Sequence, residues 1–226
     1  SSGFITRFDM YIWKSVCKTL AAWQDKGCKL VPISINVSMI DITNIDVPQY
    51  LSMLTEQYHI SPEYLPVEIT ESVFAESNTI VKNTITRFHE KGFYVLMDDF
   101  GSGYSSLNVL KDANVDYLKL DMKFMQIDAK NKGKGIQILK SIVDMAYRLG
   151  LVIIAEGVET KEQSEILKSM NCNYGQGFYF HRPMSVEAAE ELIQTIPIEN
   201  FRAAMNRSAG FVMSAKRSLI PRKCGS

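Results

Sequence analysis

The sequence predicts an α/β domain built on a parallel sheet, and between an open sheet and a (β/α)8 barrel it favours the barrel. Three observations carry that reading. Six short β-like runs recur, most of them apolar until their last residues, which is how strands covered on both faces of a parallel sheet read. Helical patterns alternate with them, and such repeats resolve into right-handed βαβ crossovers. Every run carries a polar or charged residue toward its C-terminal end, and in a parallel barrel those ends converge on the face where barrel enzymes work.

The elements follow in order. An amphipathic helix over Phe8 to Trp23 opens the chain, and the runs then fall at 31–38, 65–70, 93–100, 115–121, 151–158 and 174–180. Ser77 and Ser185 stand where two later helices need an N-cap. Thr160, with Gln163 three residues on, makes a capping box for the helix after the fifth run. In the helix before that run, Leu139, Ile142, Val143, Ala146 and Leu149 share one apolar face, and Gly150 stops it. Six strands are two short of a barrel, and a strand is expected before the opening helix. The expected domain is therefore an incomplete barrel over residues 1–196, with about six of eight strands present, followed by a basic tail or linker over 197–226.

Composition narrows the class. With 226 residues, 46% hydrophobic and 10% aromatic, the chain is long and apolar enough for one sizeable folded domain. Its formal charge is +0, but Arg202, Arg207, Lys216, Arg217, Arg222 and Lys223 follow Glu199 with no acidic residue among them, so the body is net acidic. An acidic body argues against binding a DNA or RNA polymer by charge and points to metal ions as the route to any phosphate ligand. The cysteines, Cys17, Cys28, Cys172 and Cys224, form no CxxC pair and have no histidine at zinc-finger spacing, which fits a reducing cytoplasm.

Chemistry concentrates at the strand ends: Asn36, Glu68, Asp98 with Asp99, Lys119 with Asp121, Glu156 and Gln176. Carboxylates and an amide oxygen, with His59, His89 and His181 all outside the set, suit hard cations such as Mg2+ or Mn2+ and not zinc. A lysine in an acidic ring neutralises charge developing on a phosphoryl oxygen or orients an attacking water, so the pattern reads as metal-assisted hydrolysis of a phosphate ester. Singly, these residues have plainer explanations. Asp98 and Asp99 before Phe-Gly-Ser-Gly fit a turn, and Glu156 and Glu159 fit the N-terminal end of the next helix. No Lys-Ser or Lys-Thr follows Gly103, which excludes a Walker loop. Their ordered occurrence at successive strand ends favours a site.

The segments INVS, EITES, MDDFGSGYSSL, LKLDMKF, AEGVET and QGFYFHRPMS, in that order, resemble the motif series of EAL domains. The resemblance spans about residues 1 to 190 and implies a metal-dependent phosphodiesterase that hydrolyses cyclic-di-GMP to linear 5'-pGpG, a step in bacterial signalling over biofilm formation and motility. It implies Asn36, Glu68, Asp98, Asp99 and Glu156 as ligands of a two-metal Mg2+ or Mn2+ site. It also implies Lys119 as the residue that positions the attacking water, Glu156 as ligand or general base, and Glu71 as the anchor of the loop from Gly101 to Ser106. Asp121, Glu159 and Gln176 fall around the substrate or behind the ligands. The alternatives are a catalytically silent EAL domain acting as a cyclic-di-GMP receptor or protein-interaction module, and a barrel enzyme of enolase type.

EAL domains carry the Glu-Ala-Leu motif on an early strand, and nothing in residues 1 to 30 matches it, so an N-terminally truncated domain is expected. The resemblance further implies a cytoplasmic homodimer and an upstream sensor or GGDEF domain in the parent chain, any membrane anchor of which lies outside this segment. The 226 residues alone are then expected to be weakly active or inactive; robust metal-dependent turnover by them would contradict this.

Overall fold

The computed structural model describes residues 2–75, 79–101, 109–111, 113–122, 132–172, 174–195 and 213–214. The chain opens with helix α1 (Ser2–Asp25), then strand β1 (Ile33–Asn36), helices α2 (Met39–Asn44) and α3 (Val47–Tyr58), and strand β2 (Val67–Thr70). Helices α4 (Glu71–Ala75) and α5 (Thr79–Glu90) lead to β3 (Val95–Phe100) and then β4 (Tyr117–Asp121). Helix α6 (Lys132–Arg148), β5 (Val152–Glu156), α7 (Lys161–Ser169), β6 (Tyr174–Gln176) and α8 (Val186–Thr195) follow. The strands form one parallel, curled sheet in the order β6-β5-β4-β3-β2-β1, with the two-residue β7 (Met213–Ser214) added outside β1. All six predicted runs are strands.

Side-chain alternation along each strand sorts the sheet into two faces. Ile33, Ile35, Val67, Ile69, Val95, Met97, Leu118, Leu120, Ile153 and Ala155 join the helices in the main hydrophobic core. The alternate residues Leu96, Tyr117 and Ile154, with Val152 and Tyr174 against them, make a second, smaller apolar cluster. On that same face, two residues further along each strand, stand Asp98, Lys119, Glu156 and Gln176. The inner face is thus apolar below and polar above.

Helix α1 buries Trp13, Cys17, Leu20 and Trp23, a stripe at helical spacing. The Trp23 indole N–H donates to Glu190 Oε2 (3.1 Å) and Lys26 Nζ lies 2.7 Å from Glu190 Oε1, joining α1 to α8. Trp13 Nε1–H donates to the Asn36 carbonyl (3.0 Å) at the end of β1.

The Thr160–Gln163 capping box is present, and Ser185 Oγ accepts from Ala188 N–H (3.3 Å). Ser77 lies outside the described residues. Gly150 takes φ +74 after α6, the left-handed stop its position requires. Leu149 departs from expectation: it is 57% exposed, because the helix has ended before it and the stop turns it to solvent, while Leu139, Val143 and Ala146 are buried. The β7 pairing in the basic tail was not expected either, and its two-residue length explains why no strand pattern announces it. Among the described residues, no helix is long and apolar enough to cross a membrane.

Burial pushes the Cys17 thiol up to about 12 and the Cys172 thiol up to about 11. A maleimide added to the native chain is therefore expected to miss both and to label both after unfolding in guanidinium, read by peptide mass mapping. Equal labelling of Cys17 in the two states would contradict its place in the core.

Candidate functional site

Strand register assembles the polar layer. Asn36 pairs with Glu68, Thr70 with Asp98, and Asp121 with Glu156, which in turn pairs with Gln176. Between β3 and β4 the register shifts in the stretch from Met97 to Phe100, an irregularity at the very residues Asp98 and Asp99. Asp99 sits at φ +57, a left-handed conformation that Asp tolerates better than most residues, and it is exposed.

Lys119 occupies the centre, 1% exposed. Its Nζ lies 2.9 Å from Glu68 Oε1, 3.1 Å from Asp98 Oδ1 and 2.7 Å from Glu156 Oε1, so four adjacent strands supply one cluster. Burial works to lower the lysine's pKa, but the charges of Glu68, Glu156 and Asp98 outweigh it and hold the ammonium well above its ordinary range. The magnitudes support that order. Each contact near 3 Å is worth about 5 kcal/mol at an effective dielectric of about 20, against several kcal/mol for burying the ion.

The balance is incomplete on the acidic side. Three carboxylates face one ammonium, and among the described residues Asp98 Oδ1 has that charge contact but no hydrogen-bond donor at a good angle. Ligand atoms of Asp98, Asp99 and Glu156 all lie within 4.8 Å of one another. An all-carboxylate set with negative charge to spare fits Mg2+ or Mn2+, which take oxygen donors.

The other expected residues take distinct places. Glu71 is buried and accepts the Gly101 N–H at Oε2 (2.8 Å), tying α4 to the start of the loop after Asp99; Ser102 to Ser106 lie outside the described residues. Asp121 is half-buried beside Gly157, where a β-carbon would lie 3.8 Å from Asp121 Oδ1. Gln176 is half-buried and its carbonyl accepts from Val158 N–H. Glu159 stands apart from the cluster: its side chain is exposed, and its backbone N–H donates to Gln163 Oε1 (2.7 Å) in the cap of α7. The helix-cap explanation of that residue is thus partly correct. His89 lies at the opposite strand end, with Nε2 3.0 Å from Asp116 Oδ2, consistent with its exclusion from the set.

Sequence reasoning missed Ser34. Its buried hydroxyl donates to Glu68 Oε1 (2.5 Å), the oxygen that also faces Lys119, and so fixes the carboxylate's orientation. The available signal was a lone polar residue in an apolar run, two before Asn36 and therefore on the same face.

Fold and site together define an α/β-barrel-type domain with a cluster of carboxylates around a buried lysine at the C-terminal ends of its strands. The chain belongs to the EAL domain family, whose model matches residues 1–183. It is 36% identical over 187 residues to the probable cyclic di-GMP phosphodiesterase PdeB of Escherichia coli, covering 82% of this chain and 35% of PdeB. The EAL domain of Mycobacterium smegmatis DcpA superposes with a TM-score of 0.74 at 29% identity, over 81% of this chain and 83% of that one. The manganese/cyclic-di-GMP complex of Klebsiella pneumoniae BlrP1 matches with a TM-score of 0.70 at 27% identity, over 79% and 45% of the two chains. The chain spans about a quarter to a third of the length of the curated relatives it matches.

Replacing Lys119 by Met removes the cation and leaves Glu68, Asp98 and Glu156 facing one another. We expect a loss of about 3–5 kcal/mol without divalent ions, recovered in large part by Mn2+, both read as the melting temperature by calorimetry. A variant as stable as the parent in EDTA would show that the three carboxylates do not need the ammonium.

Proposed function

We propose that this chain carries the active site of a metal-dependent phosphodiesterase that hydrolyses cyclic-di-GMP to the linear dinucleotide 5'-pGpG. The observation that carries the reading is the carboxylate excess around Lys119, with Asp98, Asp99 and Glu156 close enough to share a cation. Support for the nucleotide comes from family membership and from relatives named as cyclic di-GMP phosphodiesterases.

In this reading Asn36, Glu68, Asp98, Asp99 and Glu156 hold one or two Mg2+ or Mn2+ ions. Such ions, when bound, polarise the phosphoryl oxygens and acidify a water molecule. Lys119 keeps its proton and supplies a fixed positive charge beside the reacting phosphorus, where negative charge builds as water adds. Glu156 takes the proton from the attacking water. The new bond joins water oxygen to phosphorus, the bond to the 3' oxygen breaks, and that oxygen leaves as the free hydroxyl of the linear product with the proton Glu156 took, which restores the carboxylate. Glu71 steadies the loop after Asp99 through Gly101, and Asp121, Glu159 and Gln176 flank the bound nucleotide. The same reading includes a cytoplasmic homodimer formed through the loop after Asp99, behind a sensor or GGDEF domain.

The test is Mg2+-dependent conversion of cyclic-di-GMP to linear dinucleotide, followed by chromatography, on the longest expressed form of the protein and on the 226 residues alone. Turnover in the longest form that falls at least about a hundredfold in Glu68→Ala is the expected result. Tight nucleotide binding with no turnover in that form would replace the enzyme by a receptor on the same scaffold.

A further inference from the structure

The turn after β6 grips the backbone of the segment that follows Glu156. Val158 N–H donates to the Gln176 carbonyl (3.1 Å), and the Val158 carbonyl accepts from Tyr179 N–H (3.0 Å), so both backbone polar groups of one residue are held by the same turn. Gly177 stands between those two bonds. A β-carbon at Gly177 would overlap the backbone oxygen, nitrogen and carbonyl carbon of Val158. Backbone meets backbone there, so no change of rotamer relieves the overlap and one of the two segments must move.

The gripped residue sits within three positions of two acidic groups. Glu156 is two residues before Val158 and Glu159 is one after it, with Gly157 between Glu156 and Val158 at φ +75. Gly157 also lies against Asp121 and Met122. Glu156 is the last residue of β5, so its backbone has the sheet before it and this staple two residues after it. Val158 is two residues from Glu156 along the chain, and Glu156 Oε1 lies 2.7 Å from the Lys119 ammonium.

We propose that Gly177 is a positioning residue for Glu156: its missing side chain lets the two segments close to bonding distance, and that closure sets where the Glu156 carboxylate stands. The structural part rests on the geometry alone, and its effect on turnover rests on the hydrolase reading above. Outer-shell contacts that orient a metal ligand are worth about 10- to 100-fold in metal affinity.

The test is Gly177→Ala in the full chain. Amide hydrogen exchange at Val158 and Tyr179 is expected to accelerate at least about tenfold while the β3 and β4 core amides keep their protection, and Mn2+ affinity by calorimetry is expected to fall about tenfold or more. Where turnover is present, kcat falls more than KM changes. Unaltered exchange at both amides with unaltered Mn2+ affinity overturns the proposal. If Gly177→Ala does not fold, an ester in place of the Tyr179 amide (the α-hydroxy analogue of tyrosine at that position), which deletes one bond of the staple and adds no atom against Val158, is read by amide exchange at Val158 and by Mn2+ affinity. Parent-like Mn2+ affinity with the staple open also overturns it. An opened staple and weakened Mn2+ binding, in a protein whose unaltered form does not cleave cyclic-di-GMP, would sink the hydrolase reading and leave the positioning role standing.

Discussion

Much of this domain is organised around one buried ammonium shared by three buried carboxylates. For Lys119 to lie within about 3 Å of Glu68, Asp98 and Glu156, four adjacent strands must curl toward a common axis with their register held. Buried ion clusters of this type contribute little net stability, since desolvation cancels most of the attraction. Apolar residues of similar volume would pack at lower cost. Charge in that place reads as a functional requirement that the rest of the sheet tolerates.

What makes the cluster tolerable is the layer beneath it. Leu96, Tyr117 and Ile154 fill the inner face one step below the polar residues, and the outward-facing residues of the same strands anchor the sheet to the helices. The alternation that seals one face against helices therefore also lifts the charged residues to the open end of the other. Ser34 and Glu71 then hold individual pieces in place, one by a hydroxyl on Glu68 and the other by accepting an amide of the neighbouring loop.

Much of this was legible in the sequence, and the limits were physical. Strands buried on both sides announce themselves as apolar runs, and a polar residue toward the end of each run marks the candidate site without knowledge of the fold. Capping at Thr160 and Gln163 was equally readable, because every partner lies within one helical turn. Which carboxylates meet Lys119 depends on register and curl, which local pattern does not encode. Leu149 kept its helical spacing on paper but fell beyond the last turn. Asn36, expected for its amide, also carries a structural duty through its carbonyl, which receives the Trp13 indole. Gly177 is silent in sequence, since its role is an absence of atoms opposite a residue on another loop.

The junction of α1 with α8 has a kinetic meaning. Strands β1 to β6 pair in chain order, so the sheet can grow by successive closures of modest length. Trp23 and Glu190 are 167 residues apart, and joining them closes a far longer loop than any pairing among β1 to β6. Loop closure of that span has a high entropic cost and is repaid only once the intervening strands are in place. The clasp therefore belongs to the late side of the folding barrier, where it governs how fast the assembled domain comes apart more than how fast it forms.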